Sequence, residues 1–219
     1  AGKQDAEAIA GSFDKVGAKF ETDVDEGMTV VSLRSLVSPT LRDPALNTFR
    51  LLLTKANFPQ EALARIRQQK LVELQAEAQS APKRAYKAFI QTVYAGTPYA
   101  HLAIGEPKTI AAITQADLSR FYHRYYVASN AFIVMVGDLR LAQAKQIADW
   151  LTANLPAGHP ANVPKLKKAS ASAVVKAIQM SLPQTAIVMG GVGIARNNSD
   201  YFPLLLSNYI LGGGMQSRL

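Results

Sequence analysis

The chain has 219 residues, of which 48% are hydrophobic and 18% charged. That is enough apolar material for a buried core and too little charge for intrinsic disorder. There is no cysteine, which excludes disulfides, thiolate metal sites, iron–sulfur clusters and cysteine nucleophiles. Lys and Arg number 24 against 16 Asp and Glu, a net charge of +8. The basic residues are scattered, with no aromatic-interleaved run, so the excess reads as a basic surface and no nucleic-acid partner is expected. No apolar run reaches the ~18 residues of a membrane-spanning helix. The opening AGKQDAEAIA lacks a basic stretch followed by an apolar one, so a signal peptide is expected to be either absent or already removed.

Residues 3–16 predict a short amphipathic helix. Ile9, Phe13 and Val16 recur at helical spacing, Asp5 stands near the N-cap and Gly17 follows as a C-terminal cap. Residues 19–37 (KFETDVDEGMTVVSLRSLV) predict two strands about a turn carried by Asp25, Glu26 and Gly27, ended by Pro39. From Pro44 to Thr54, Leu46, Phe49, Leu52 and Leu53 describe a helix, which Asn57-Phe58-Pro59 breaks. Longer helices follow over Gln60–Ser80 and Pro82–Tyr94. Gly96–Tyr99 is a loop, and Thr109–Ile113 a single short turn. Thr114 and Asp117 form a capping box, with Asp in place of Glu, opening a helix that carries Leu118, Phe121 and Tyr125.

Ala131–Gly137 (AFIVMVG) is a continuous apolar run of strand length, which predicts a buried central strand. Leu141–Leu155 predicts a helix with Ile147, Trp150 and Leu151 inward. The proline-rich, basic stretch PAGHPANVPKLKK (156–168) reads as a linker. Beyond it, Ala173–Gln179 and Thr185–Gly190 predict strands. Asp200–Leu211 predicts a helix with Pro203 in its first turn, stopped by Gly212-Gly213-Gly214. The fold class expected is α+β. One domain, residues 1–156, has an antiparallel sheet backed by helices and lacks its N-terminal portion. A linker at 157–168 leads into the truncated start of a second similar domain at 169–219.

Four stretches, in this order, carry a resemblance. They are AIAGSFDKVGAKF (8–20), NFPQEALARIRQQKLVELQ (57–75), YAGTPYAHLAIGEPKTIAAITQADLSRFYHRYYVASNAFIVMVGDL (94–139) and DYFPLLLSNYILGGGMQSRL (200–219). Together they resemble the pitrilysin/insulinase family of zinc peptidases and its processing-peptidase relatives. The resemblance implies repeated α+β domains that close in pairs around an unfolded peptide. Active members carry HxxEH on a helix, where two His at i and i+4 bind zinc and the Glu activates water. The only histidines here, His101, His123 and His159, have no second His at i+4, so HxxEH is absent from these residues. By alignment it would precede residue 1.

The same resemblance implies a third zinc ligand at Glu73, with an acidic residue seven positions earlier. Here that position is Ile66. The plain alternative for Glu73 is a solvated helix glutamate beside Lys70. Active members also carry Asn-Ala on an edge strand that aligns a substrate backbone by strand addition. The matching positions are Glu21 and Thr22. The triglycine Gly212, Gly213, Gly214 matches a loop that touches substrate in some members; an ordinary helix cap would need only one glycine. These departures favour a non-catalytic half or subunit that helps form a peptide-holding chamber, with no catalytic residue, metal or cofactor of its own. Zinc is expected on a catalytic partner or in a region preceding residue 1. Two alternatives stand: an active zinc peptidase whose HxxEH lies before residue 1, and a structural core protein of a larger assembly. The expected partners are an unfolded peptide, a catalytic zinc peptidase subunit or domain, and a second copy of the chain. The resemblance to exported bacterial pairs implies the periplasm, with the cytoplasm as the alternative.

Overall fold

In the computed structural model, which describes all residues except 3, 26, 163–172, 215 and 219, local capping signals set most helix ends. Helix α1 spans Ala6–Asp14, and the Asp5 carboxylate accepts the Ala8 N–H at 2.8 Å. Gly17, at φ 63°, turns the chain so that the Ala18 N–H reaches the Phe13 carbonyl at 3.0 Å. Strands β1 (Lys19–Val24) and β2 (Thr29–Arg34) then pair antiparallel. The Asp25 carboxylate fixes their turn by accepting the N–H groups of Gly27 (2.7 Å) and Met28 (2.6 Å).

Helix α2 runs Pro39–Thr54, five residues longer at its start than the apolar spacing suggests. Pro39 occupies the first turn, where an N–H would have no intrahelical acceptor. The Arg42 N–H reaches the Ser38 carbonyl at 2.8 Å, so the turn is formed before Pro44 interrupts the ladder. Phe13, Ala18 and Ala45 form a buried core, with Ile9, Val16, Phe20, Leu33 and Leu52 packed on it. The Phe13 and Phe20 rings stack at 5.3 Å, and Phe49 meets Phe20 edge-on at 6.2 Å.

Phe58, at φ 43°, makes the sharp turn into α3 (Gln60–Gln79) and packs edge-on against Tyr122. Helices α5 (Pro107–Ala112), α6 (Gln115–Tyr125) and α7 (Leu141–Thr152) belong to the same unit. Arg67 donates to the Ile113 carbonyl at 2.5 Å, tying α3 to the end of α5. The Arg50 guanidinium lies 4.5 Å from the Trp150 ring, joining α2 to α7. The Tyr122 hydroxyl donates to the Leu53 carbonyl at 2.6 Å, and burial raises its pKa above the ordinary value.

This first unit comprises Ala1–Ser80 and His101–Lys165; the second comprises Ala81–Ala100 and Leu166–Leu219. The second contains α4 (Ala81–Val93), a short 3-10 turn at Pro98–Ala100 beside it, and α8 (Tyr201–Gly212). Within it Gly190 approaches Phe89 so closely that a Cβ would lie 2.9 Å from the ring.

The structure corrects three strand expectations. Ala131–Gly137, expected as a buried central strand, joins no ladder, and Val134 (74%) and Val136 (94%) are open to solvent. Ala173–Gln179 and Thr185–Gly190 likewise form no strand, and Val175 is 96% exposed. The physical reason is common to all three. A strand needs a neighbour for its N–H and C=O groups, and among the described residues the only sheet is β1–β2. The fold class remains α+β: helix-rich, with a small antiparallel two-stranded sheet among the described residues. Part of the proline-rich stretch is anchored: Pro156 and Ala157 accept the N–H groups of Ala128 (2.8 Å) and Ser129 (3.0 Å), and the Ala161 N–H reaches the Asn130 side chain at 2.9 Å. Residues 163–168 of that stretch lie outside the described residues.

The Thr114–Asp117 capping box gives a pH prediction. The Asp117 carboxylate accepts the Thr114 hydroxyl (2.6 Å) and N–H (2.9 Å) and pairs with Arg120 at 3.0 Å. These bonds, the Thr114 hydroxyl foremost, lower the Asp117 pKa. A lowered carboxylate pKa stabilises the fold fully above the unfolded value of about 4. That contribution is lost as pH falls through the lowered folded value. The first turn of α6 should therefore fray as pH drops below about 4. Amide exchange at Asp117 will show it, and Asp117→Asn should flatten the pH dependence.

Candidate functional site

The hydrogen-bonding phase of β1 decides what its outer edge offers. At the turn the Asp25 N–H donates to the Met28 carbonyl at 3.0 Å. In an antiparallel pair, hydrogen-bonded and non-hydrogen-bonded positions alternate. Counting back along the register, Asp23↔Val30, Glu21↔Ser32 and Lys19↔Arg34 are the bonded pairs. Phe20, Thr22 and Val24 therefore turn their backbone N–H and C=O away from β2. The Val24 N–H is taken by the Asp23 carboxylate at 3.0 Å. The N–H groups of Phe20 and Thr22 have no partner among the described residues. Of the expected pair Glu21 and Thr22, it is the main chain of Thr22 that faces outward, joined by that of Phe20.

A groove of about 460 Å³ runs between α1 and β1. Ile9, Ala10 and Phe13 line it from the helix, and Lys19, Phe20 and Glu21 from the strand. It draws on β1 and on none of β2, which sets it on the unpaired side of the strand. The sequence reading passed over Phe20 as a site residue. The signal lay in counting the ladder by twos from Asp25.

Glu73 lies on α3, half exposed, with its carboxylate 2.7 Å from Lys70 Nζ. His123 Nδ1 is 2.7 Å from the Ser119 carbonyl, on α6. Among the described residues no three His, Asp or Glu side chains converge, so the residues present do not fit a zinc site.

Gly212, Gly213 and Gly214 close α8 in the second unit. The Gly213 N–H donates to the Tyr209 carbonyl at 2.9 Å. A Cβ on Gly213 would lie 2.5 Å from the Tyr209 ring and 2.7 Å from its Cα, so close approach rather than positive φ requires glycine there. Leu205, Asn208 and Tyr209 join Gly212 and Gly213 around a shallow hollow of about 360 Å³.

Comparison with known proteins bears on what these features serve. The family described as "Peptidase M16 inactive domain" matches residues 112–219. A crystal structure of a peptidase M16 inactive domain from Pseudomonas fluorescens superposes with a TM-score of 0.82 at 32% identity, covering 99% of this chain and 52% of that one. The chain belongs to the M16 peptidase family. The M16 match names the inactive domain, so this is a non-catalytic, peptidase-like half in the family's own terms. An uncharacterized zinc protease of Rickettsia felis is 27% identical over 98% of this chain and 51% of its own length. The chain thus spans about half the length of the curated relatives it matches. The periplasmic protease PqqL of Escherichia coli shares the fold, with a TM-score of 0.63 at 21% identity over 73% of this chain and 18% of that protein. No helix among the described residues is long and apolar enough to cross a membrane.

Proposed function

We propose that this M16 chain forms one wall of a peptide-holding chamber and binds unfolded peptide by strand addition to β1, while a separate zinc domain or subunit hydrolyses the bond. The outward N–H groups of Phe20 and Thr22 carry the reading. They are the unmet half of a ladder, and an extended peptide satisfies them with main-chain bonds that are indifferent to sequence. The match to an inactive domain and the absence of HxxEH from the 219 residues support the division of labour. Glu73, held by Lys70, is a helix-surface residue in this reading, and Gly212–Gly214 a candidate peptide contact of the second unit taken by itself. The periplasm is the compartment proposed for this chain, with the cytoplasm as the alternative; the name of the periplasmic protease PqqL supports the first.

The isolated chain should bind an unfolded peptide and leave it intact. It should also hold far less than one zinc per chain by metal analysis, since three or four converging ligands are required. Chelator-sensitive cleavage by the pure chain would favour the alternative of a complete zinc peptidase.

The exposed apolar segments support self-association. Ala131–Gly137 and Thr185–Gly190 expose valine, isoleucine and phenylalanine side chains with no neighbouring strand among the described residues, and exposed apolar surface of this kind recruits other chains. In isolation the chain should self-associate as concentration rises, seen by light scattering, and a charge placed by Val134→Lys should suppress this. A strict monomer at all concentrations would remove the homodimer from the reading.

A further inference from the structure

We propose that α8 is a docking face of the second unit, and that its partner is an apolar protein surface rimmed by carboxylates. Charge is divided unevenly between the two units. By sequence the first carries 16 Lys and Arg against 15 Asp and Glu, a net +1; the second carries eight against one, Asp200, a net +7. Cations scattered along the chain are therefore concentrated in one unit of it. Within that unit α8 has no charged side chain. Phe202, Leu205, Leu206, Tyr209 and Ile210 recur at i, i+3, i+4, i+7 and i+8 and so form one stripe. Each of the five is more than half exposed. A stripe of this width is what a helix buries against protein.

The two ends of α8 say what covers it. Arg196 lies in the turns that lead into the helix, where the Asn198 N–H reaches the Ala195 carbonyl at 2.9 Å and the Tyr201 N–H reaches the Asn198 carbonyl at 3.1 Å. Arg218 returns to the last turn, its N–H donating to the Ile210 carbonyl at 3.2 Å. Both arginines are exposed, and neither joins an ion pair among the described residues. The stripe thus runs about 18 Å between two cations. A second copy of α8 would set arginine against arginine in either orientation, between units of the same strong charge. An anionic lipid surface would satisfy the arginines, but a helix that lies in a bilayer interface carries a charged face opposite its apolar one, and α8 carries none. A surface with apolar side chains at its middle and Glu or Asp at its margin meets both features. The middle supplies affinity, and the margin supplies orientation.

The test is fluorescence anisotropy of a stapled helical peptide, a leucine stripe flanked by Glu, titrated with the full chain. Two comparison peptides have Glu replaced by Lys, and Leu replaced by Ser. Each replacement should weaken binding about tenfold or more. On the chain, Leu206→Glu at an exposed stripe position should weaken the parent peptide by about the same factor. Arg196→Glu together with Arg218→Glu should erase or reverse the preference for Glu over Lys. Raising the salt to about 0.5 M should narrow that preference in the native chain. Equal binding of the Glu and Lys peptides, an unchanged affinity in Leu206→Glu, or no binding of any peptide overturns the proposal. Two further results would overturn it by naming another occupant, each with the acidic peptide left unbound. Binding to phosphatidylglycerol vesicles that Leu206→Glu removes would make α8 a lipid contact. Self-association that Leu206→Glu removes would make a second copy its cover.

Discussion

Gly158→Ala should lower the unfolding free energy by about 3 kcal/mol, while Gly17→Ala should lower it by only about 1 kcal/mol. Both glycines sit in the left-handed region, at φ 59° and 63°, and share the conformational cost of a Cβ there. They differ in what the Cβ would meet. Around a Cβ added at Gly17 nothing lies within 4 Å; one added at Gly158 would overlap the Val127 Cβ and lie 2.6 Å from both of its methyls. Val127 is only 2% exposed and has no space to retreat into. Its backbone is also held, because the next two residues donate to Pro156 and Ala157. Relief requires breaking those bonds and lifting residues 156–161 off the turn at Ala128–Asn130. Urea unfolding of the two variants side by side separates the conformational cost from the packing cost. Equal losses would show that Val127 yields easily.

Phe13→Ala should cost about 3–4 kcal/mol. The ring is 4% exposed, stacks flat on Phe20 and joins Ala18 and Ala45 in the core. Its removal leaves a cavity under β1 that neither alanine can fill. Phe13 also lines the groove, so peptide affinity should fall with stability. Phe13→Leu keeps most of the apolar volume and should lose roughly 1 kcal/mol, while blurring the shape of the groove. Thermal unfolding of both variants, read beside their peptide affinities, shows how far the core and the site share this residue.

What could be read in the sequence follows the range of the interactions. The Asp5 cap, the Gly17 stop, the Asp25 turn and the Thr114–Asp117 box are settled within three or four residues, and all four stand as the spacing indicates. Ala131–Gly137 is the opposite case. Its composition speaks for a central strand, but a central strand is defined by two neighbours, and no composition of one segment supplies them. The start of α2 was hidden because Pro44 looks like a beginning, whereas Pro39 opens the helix and Pro44 rides within it. The anchoring of 156–161 rests on hydrogen bonds to residues some thirty positions away, two of them backbone to backbone and one to the Asn130 side chain, which a count of prolines cannot show. At the site, Glu21 and Thr22 were visible as positions through the resemblance to zinc peptidases. Which of them offers its main chain depends on the phase of the ladder, and hence on a single bond at the turn.

Amide exchange at Phe20 and Thr22, with and without a saturating unfolded peptide, tests the central claim most directly. If β1 is a docking edge on a non-catalytic wall, both amides slow markedly when the peptide is added, Glu21 and Asp23 change little because β2 already protects them, and the peptide is recovered intact. Unchanged exchange at Phe20 and Thr22 while the peptide is demonstrably bound, or recovery of the peptide in pieces, would contradict it.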